Sequence, residues 1–273
     1  MSKENQASLL DHPEITTLLF HPRKDPSDSF VPNTSELYTP VDEDIALNTR
    51  IYLTGGDRPH LLFFHGNGEI AGDYDDIGPI YNQFGLNFMV SDYRGYGKSK
   101  GKPDVSTMLR DSHAVFSHVR QWMRQEGRSG PLWIMGRSLG SAAALELASH
   151  YPADCQGLVI ESGFAYTLDL LEHIGINTRP FQGITQVDRD QINRINTHKI
   201  AKYSGPTLII HARLDDIVPV SHGKALYQHS PAEIKNIRII EGADHNTIFL
   251  IAGQTYFSLI AGFIDQASAT ART

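Results

Sequence analysis

A single cysteine, Cys155, is the whole thiol content of this 273-residue sequence. One thiol cannot close a disulfide within a chain or build a CxxC redox or zinc motif. HExxH is absent as well, which removes the zinc-hydrolase signature that depends on it. No run approaches the roughly 20 apolar residues of a membrane-spanning helix. The opening residues, MSKENQASLLDHPE, lack the long apolar stretch of a secretory signal, so a soluble, cytoplasmic protein is expected. Basic clusters are missing too. Lys and Arg number 24 against 31 Asp and Glu, a net charge of -7, which argues against a nucleic-acid partner. Internal repeats and low-complexity tracts are not found.

What is present is a series of short apolar runs. They are HLLFFHG (60–66), NFMVSDYRG (87–95), PLWIMGRS (131–138), GLVIESG (157–163), TLIIHARLD (207–215) and NIRIIEGADH (236–245). Each is nearly continuous rather than alternating, the texture of strands covered on both faces. Helical patterns lie between them. Residues 106–125 place Met108, Val115, Phe116, Val119 and Met123 at helical spacing, with Ser106 as N-cap and Gly127 as stop. Residues 138–151, 219–229 and 245–267 read as further helices. This alternation predicts an α/β fold with a mostly parallel, doubly wound sheet. The first sixty residues differ: ITTLLFHPR and LNTRIYLTGG read as antiparallel strands. Residues 163–205 show no strand and are too long for a plain connection, so a partly helical, lid-like insertion is expected there. One domain, 1–273, accounts for the whole pattern.

Chemistry concentrates at Gly136-Arg137-Ser138-Leu139-Gly140. An apolar strand, then GxSxG, then an alanine-rich helix is the context of a nucleophile elbow. The turn is sharp enough that side chains two positions either side of Ser138 would collide, hence the glycines. The bland alternative is a glycine-serine loop. A serine hydroxyl needs a base. Of 13 histidines, His245 alone follows a strand run and precedes the last helix, which puts it at the strands' carboxyl edge with Ser138. The base needs an orienting carboxylate, and Asp215, Asp216 and Glu161 all stand on that edge. The loop His65-Gly66-Asn67-Gly68 offers the N–H of Asn67 to a developing oxyanion, and Leu139, after the nucleophile, offers a second.

HGNG, SDYRGYGKS, GRSLG, DDIVP and GADH together resemble the α/β-hydrolase-fold serine hydrolases over about residues 60–265. HGNGE, DYRGYGKS and GRSLGS are most similar to the small-lid subgroup containing ABHD-type depalmitoylases and their bacterial relatives. The resemblance implies an α/β-hydrolase fold with a short helical lid. It also implies that the acid is the first residue of D-x-x-V-P, Asp215 rather than Asp216. The likeness is weak over 1–40 and 163–205.

Several motifs carry nothing further. Gly97-Lys98-Ser99 ends like a P-loop, but Asp92 stands where a P-loop needs glycine. His113 and His118, five apart, lie on different faces of one helix, and the NTS at 33–35 means little without a signal peptide. The expected activity is hydrolysis of carboxylic esters or thioesters of a small-molecule or acyl substrate by Ser138, His245 and Asp215, through an acyl-enzyme and without metal or cofactor. A peptidase or amidase with the same triad is one alternative. A binding protein on an unused hydrolase fold is another. Apolar residues of 163–205, among them Phe164, Leu171 and Phe181, are candidates for an acyl pocket. The sequence leaves the oligomeric state open.

Overall fold

The computed structural model describes residues 9–26, 32, 34–177 and 184–270. Strands β1 (Thr34–Asp42) and β2 (Ile45–Tyr52) form an antiparallel pair. Strands β3 (His60–Phe64), β4 (Asn87–Ser91), β5 (Leu132–Arg137), β6 (Gly157–Glu161), β7 (Thr207–Ala212) and β8 (Lys235–Ile240) follow. All eight join one sheet in the order β1-β2-β4-β3-β5-β6-β7-β8. β2 meets β4 antiparallel, and every pairing from β4 to β8 is parallel. The six apolar runs are therefore the six parallel strands.

Their continuous hydrophobicity has a direct cause. Leu62, Ile134, Leu158 and Ile209 point into a core on one face. Their neighbours Leu61, Phe63, Trp133, Val159 and Leu208 point into a second core on the other. With period two and both faces covered, no polar phase remains. The first face is covered by α3 (Val105–Gln125), α4 (Gly140–His150), α7 (Ile195–Ile200) and α8 (Val220–His229). The second is covered by α2 (Gly78–Gln83) and α10 (Gln254–Thr270).

Three expectations are corrected. ITTLLFHPR is not a strand: Pro13–Leu19 form helix α1, with Pro in its first turn and buried Ile15 against the core. The strand that pairs with β2 is instead β1. Asp104, not Ser106, caps α3, its carboxylate accepting the Thr107 N–H at 2.6 Å. The last helix is broken: α9 (Ile248–Ala252) ends at Gly253, whose φ of +55° suits glycine, and α10 restarts beyond it. The segment after β6 carries α5 (Thr167–His173), α6 (Gln186–Asn193) and α7. No described helix is long and apolar enough to cross a membrane.

Sheet order places the site. Beyond β3 the chain builds outward to β4, and from β5 it builds the other way, so β3/β5 is the switch point. A crevice opens there beyond the strands' carboxyl ends. Ser138 follows β5 and the Asn67 loop follows β3, with Asp215 after β7 and His245 after β8.

Candidate active site

Ser138 is held at φ +50°, a left-handed conformation costing a non-glycine residue roughly 1–2 kcal/mol. The turn holds because its polar groups are matched. The Ser138 N–H donates to the Glu161 carbonyl at 2.9 Å, and Ser141 Oγ donates to the Ser138 carbonyl at 2.6 Å. A Cβ on Gly136 would stand 2.4 Å from the Gly140 carbonyl oxygen, and one on Gly140 would stand 2.0 Å from that of Phe64. Both flanking glycines are thus steric requirements of the elbow. Helix α4 begins at Gly140, so its positive end faces the serine.

His245 Nε2 lies 3.0 Å from Ser138 Oγ. Its Nδ1 lies 2.9 and 2.8 Å from the two carboxylate oxygens of Asp215. Asp215 is itself fixed, accepting the Val218 N–H at 2.7 Å and the Ile217 N–H at 3.2 Å. Burial pushes its carboxyl up, but His245 and the Val218 N–H outweigh this and hold it below the usual carboxylate range. The other two carboxylates go elsewhere. Asp216 is exposed, and its carbonyl accepts from His173 Nε2 at 2.7 Å. Glu161 binds Arg137 and Tyr256. Beneath Asp215 lies His211, fully buried, with Nε2 donating to the Val218 carbonyl at 2.7 Å. Burial pushes its pKa down, which leaves it neutral.

Asn67 and Leu139 both line the cavity onto which Ser138 opens. Among the described residues neither backbone N–H donates to a backbone carbonyl. The Asn67 side chain is fully occupied: its Oδ1 accepts from His21 N at 2.9 Å and Tyr96 O–H at 2.7 Å. Side-chain bonding thus orients the Asn67 loop without using its backbone N–H. Tyr93 O–H donates to the His65 carbonyl at 2.7 Å and steadies the same loop from below.

Arg137, the residue before Ser138, was not singled out as functional by the sequence. It ties three segments together. Its Nε donates to Glu161 at 3.0 Å and its Nη1 to Glu69. Its Nη2 donates to the His245 carbonyl at 2.7 Å and to Asn246 Oδ1 at 3.0 Å. Glu69 in turn accepts the Gly66 N–H at 2.7 Å and the Tyr74 hydroxyl at 2.7 Å. One guanidinium therefore links the Asn67 loop, the elbow and the His245 loop. The available signal was an arginine between Gly136 and Ser138 with Glu69 closing HGNGE; only the fold brings the two together.

The cavity is about 830 Å³. Phe164, Leu170, Leu171 and Ile174 of the inserted segment line it, so two of the three pocket candidates face it. Phe181 lies outside the described residues. Leu10 and Leu19 beside and within α1, and Val105, Met108 and Leu109 of α3, complete the apolar wall. Sequence reasoning missed these, because nothing local marks them as neighbours of Ser138. Asp92 and Arg94 are held in structural contacts: Asp92 accepts the Ala71 N–H at 2.8 Å, and Arg94 pairs with Asp111 at 2.5 Å. His113, Glu146 and His150 bring ligand-type atoms within 4.8 Å of one another, at the other end of α4 from the elbow.

Comparison with known proteins agrees with this architecture. A family model described as "Serine aminopeptidase, S33" matches residues 56–184. Alpha/beta hydrolase domain-containing protein 17C of Xenopus laevis is 31% identical over 214 residues, 77% of this chain and 62% of that protein. The chain thus spans under two thirds of the length of the curated relatives it matches. Among solved structures, the Pyrococcus furiosus esterase Pf2001 superposes with a TM-score of 0.71 at 15% identity, covering 91% of this chain and 97% of that one. A monoacylglycerol lipase from Paleococcus ferrophilus gives 0.63 at 17%, covering 80% and 98%. At such identities the structural likenesses speak for the fold alone. With its sheet order and its elbow after β5, the chain has the α/β-hydrolase fold, and in sequence it is similar to the ABHD-type 17C proteins.

Proposed function

We propose that the protein is a serine hydrolase that cleaves carboxylic esters or thioesters through an acyl-enzyme. The observation that carries this reading is the 3.0 Å approach of His245 Nε2 to Ser138 Oγ at the mouth of a largely apolar cavity. Ser138 Oγ attacks the carbonyl carbon while His245 takes its proton. Asp215 keeps the imidazole in the tautomer that presents a lone pair to the serine, and it stabilises the imidazolium that forms. The N–H groups of Asn67 and Leu139 receive the oxyanion. His245 then protonates the leaving alcohol or thiol. Water attacks the acyl-enzyme by the same path and frees Ser138. Every step uses groups of this chain and water.

A second reading, hydrolysis of an amide, is favoured by the description of the matched family model. The same residues would serve, because an amide leaving group chiefly demands closer positioning. A panel of nitrophenyl esters, acyl thioesters and aminoacyl anilides of graded size separates the two. Turnover of esters or thioesters with a chain-length optimum is the expected result. Turnover of the anilides alone would replace the esterase reading with the peptidase one.

A further inference from the structure

The cavity beside Ser138 changes character along its length. Its floor is one face of α4. Leu139, Ala142, Glu146, Ser149 and His150 line it, at spacings of three, four, three and one, a single stripe down the helix. Near the elbow the stripe is apolar, and at the far end it is charged. At a rise of 1.5 Å per residue, Glu146 lies about 12 Å from Ser138 along the axis and His150 about 18 Å. Facing this end are His198 and Lys199 of α7 and Lys202 just after it.

The charges at this end do not cancel. Glu146 is the sole carboxylate in the cavity wall among the described residues. It is already matched, with Lys199 Nζ at 2.8 Å, His150 Nδ1 at 3.1 Å and His113 Nε2 at 3.4 Å. Arg110, also in the wall, is paired with Asp42 at 3.1 Å and Asp111 at 3.2 Å. Lys202 and His198 then remain as donors without a second carboxylate in the wall. A chain of net charge -7 thus gathers lysines at the far end of a largely apolar cavity. A neutral alkyl chain gains nothing from it, whereas an anion arriving there is compensated.

We propose that this end is an anion-recognition subsite, and that the cavity takes medium-length acyl chains ending in a carboxylate, with Lys202 as its principal counter-charge. The proposal rests on the acyl-transfer reading of Ser138. At about 1.25 Å of advance per carbon–carbon bond, a zigzag chain of roughly nine carbons extends about 10 Å, and its terminal carboxylate oxygens carry it close to the 12 Å from Ser138 to the charged end. Half-esters or thioesters of dicarboxylic acids of about that length are the substrate class.

Calorimetric titration of the Ser138→Ala chain reads binding without turnover. The ligands are monomethyl nonanedioate and, as its uncharged counterpart, methyl nonanoate. The expected result is binding of the half-ester about ten-fold tighter, the size of one charge-assisted hydrogen bond. Adding Lys202→Ala, at an exposed position, should shrink that advantage to about two- to three-fold, and Lys202→Glu should reverse it. Equal binding of the two ligands, or a preference indifferent to Lys202→Glu, would overturn the proposal. Hydrolysis of nitrophenyl acetate by the parent chain is measured separately. Acetate turnover without the binding preference rejects the subsite alone. The preference without any ester turnover rejects the acyl-transfer reading alone.

Discussion

Ser138 stands between two regions built on opposite principles. On one side is a bonded polar lattice: Arg137 between Glu69 and Glu161, with Tyr74 and Tyr256 closing it. On the other is a cavity of about 830 Å³ with a mostly aliphatic wall. The lattice has partners for its charges and no room to move. The cavity has room and few bonds. Reaction geometry demands the first, because a loop displaced by about 1 Å costs orders of magnitude in rate. Substrate choice demands the second. The division also follows chain topology. The charged groups of the lattice come from strand ends and the loop after β3, and the cavity wall comes from α1, α3, α4 and the helices inserted after β6.

Substitutions on the lattice side should cost more than those on the cavity side. The largest loss is expected at the acid. Asp215→Asn should leave the fold intact and lower ester turnover by about 10⁴-fold, because His245 loses the partner that sets its tautomer. Asp216→Asn, on an exposed side chain, should stay within a few-fold. A severe loss at Asp216 or Glu161 instead would mean that the distances around His245 do not describe the working site.

Arg137→Met comes next. It strands buried Glu161 and partly buried Glu69 without a cation, and should lower stability by about 3 kcal/mol in urea titration. Arg137→Lys keeps a charge but loses the fork to the His245 carbonyl. It should recover much of that stability while kcat remains depressed and KM is little changed. A lysine variant with full kcat would reduce Arg137 to a purely structural role.

Acid sensitivity offers a third test. Burial, aided by the His211 ring, pushes His222 down to about 4 from an ordinary 6.5. Its Nδ1 accepts the Ala165 N–H at 3.2 Å, a bond the imidazolium cannot make. The unfolded chain therefore takes a proton below pH 6.5 that the folded chain refuses until about 4, and stability falls across that window. Glu146 acts lower. Burial raises its pKa, but His113 and Lys199 outweigh this and hold it at about 2, so its contribution is lost as pH falls from about 4.5 toward 2. Each window corresponds to about 3 kcal/mol by linkage. Urea midpoints across pH should show the upper slope flattened by His222→Gln and the lower by Glu146→Gln. Unchanged slopes would contradict the burial argument.

The smallest effect lies in the cavity wall. Leu171→Ala should lengthen the preferred acyl chain, by up to about 0.8 kcal/mol per newly buried methylene, while acetyl-ester turnover changes little. A chain-length profile identical to that of the parent would move the acyl site away from α5.

The same division decides what was legible in the sequence. The six parallel strands could be read because burial on both faces leaves a continuous apolar run. Ser138, the Asn67 loop and His245 could be read because each sits where a strand run meets a turn. Asp215 could not be separated from Asp216 and Glu161 by the residues alone, since all three share one edge. The family pattern favoured it, and its two contacts with His245 are a matter of tertiary geometry. Helix α1 was misread because residues 15–20 alternate poorly and include β-branched Ile15, Thr16 and Thr17; packing of Ile15 on the core outweighs that local preference. Arg137 escaped notice because its partners lie 68, 24 and 108 residues away in the chain.

The central claim is that Ser138 is a nucleophile activated by His245. Labelling with a fluorophosphonate, followed by peptide mass spectrometry, tests it most directly. The expected result is a single adduct on Ser138, absent from Ser138→Ala and strongly slowed in His245→Ala, with the circular dichroism of both variants unchanged. An adduct on another residue, or none on a folded parent chain, would contradict the account.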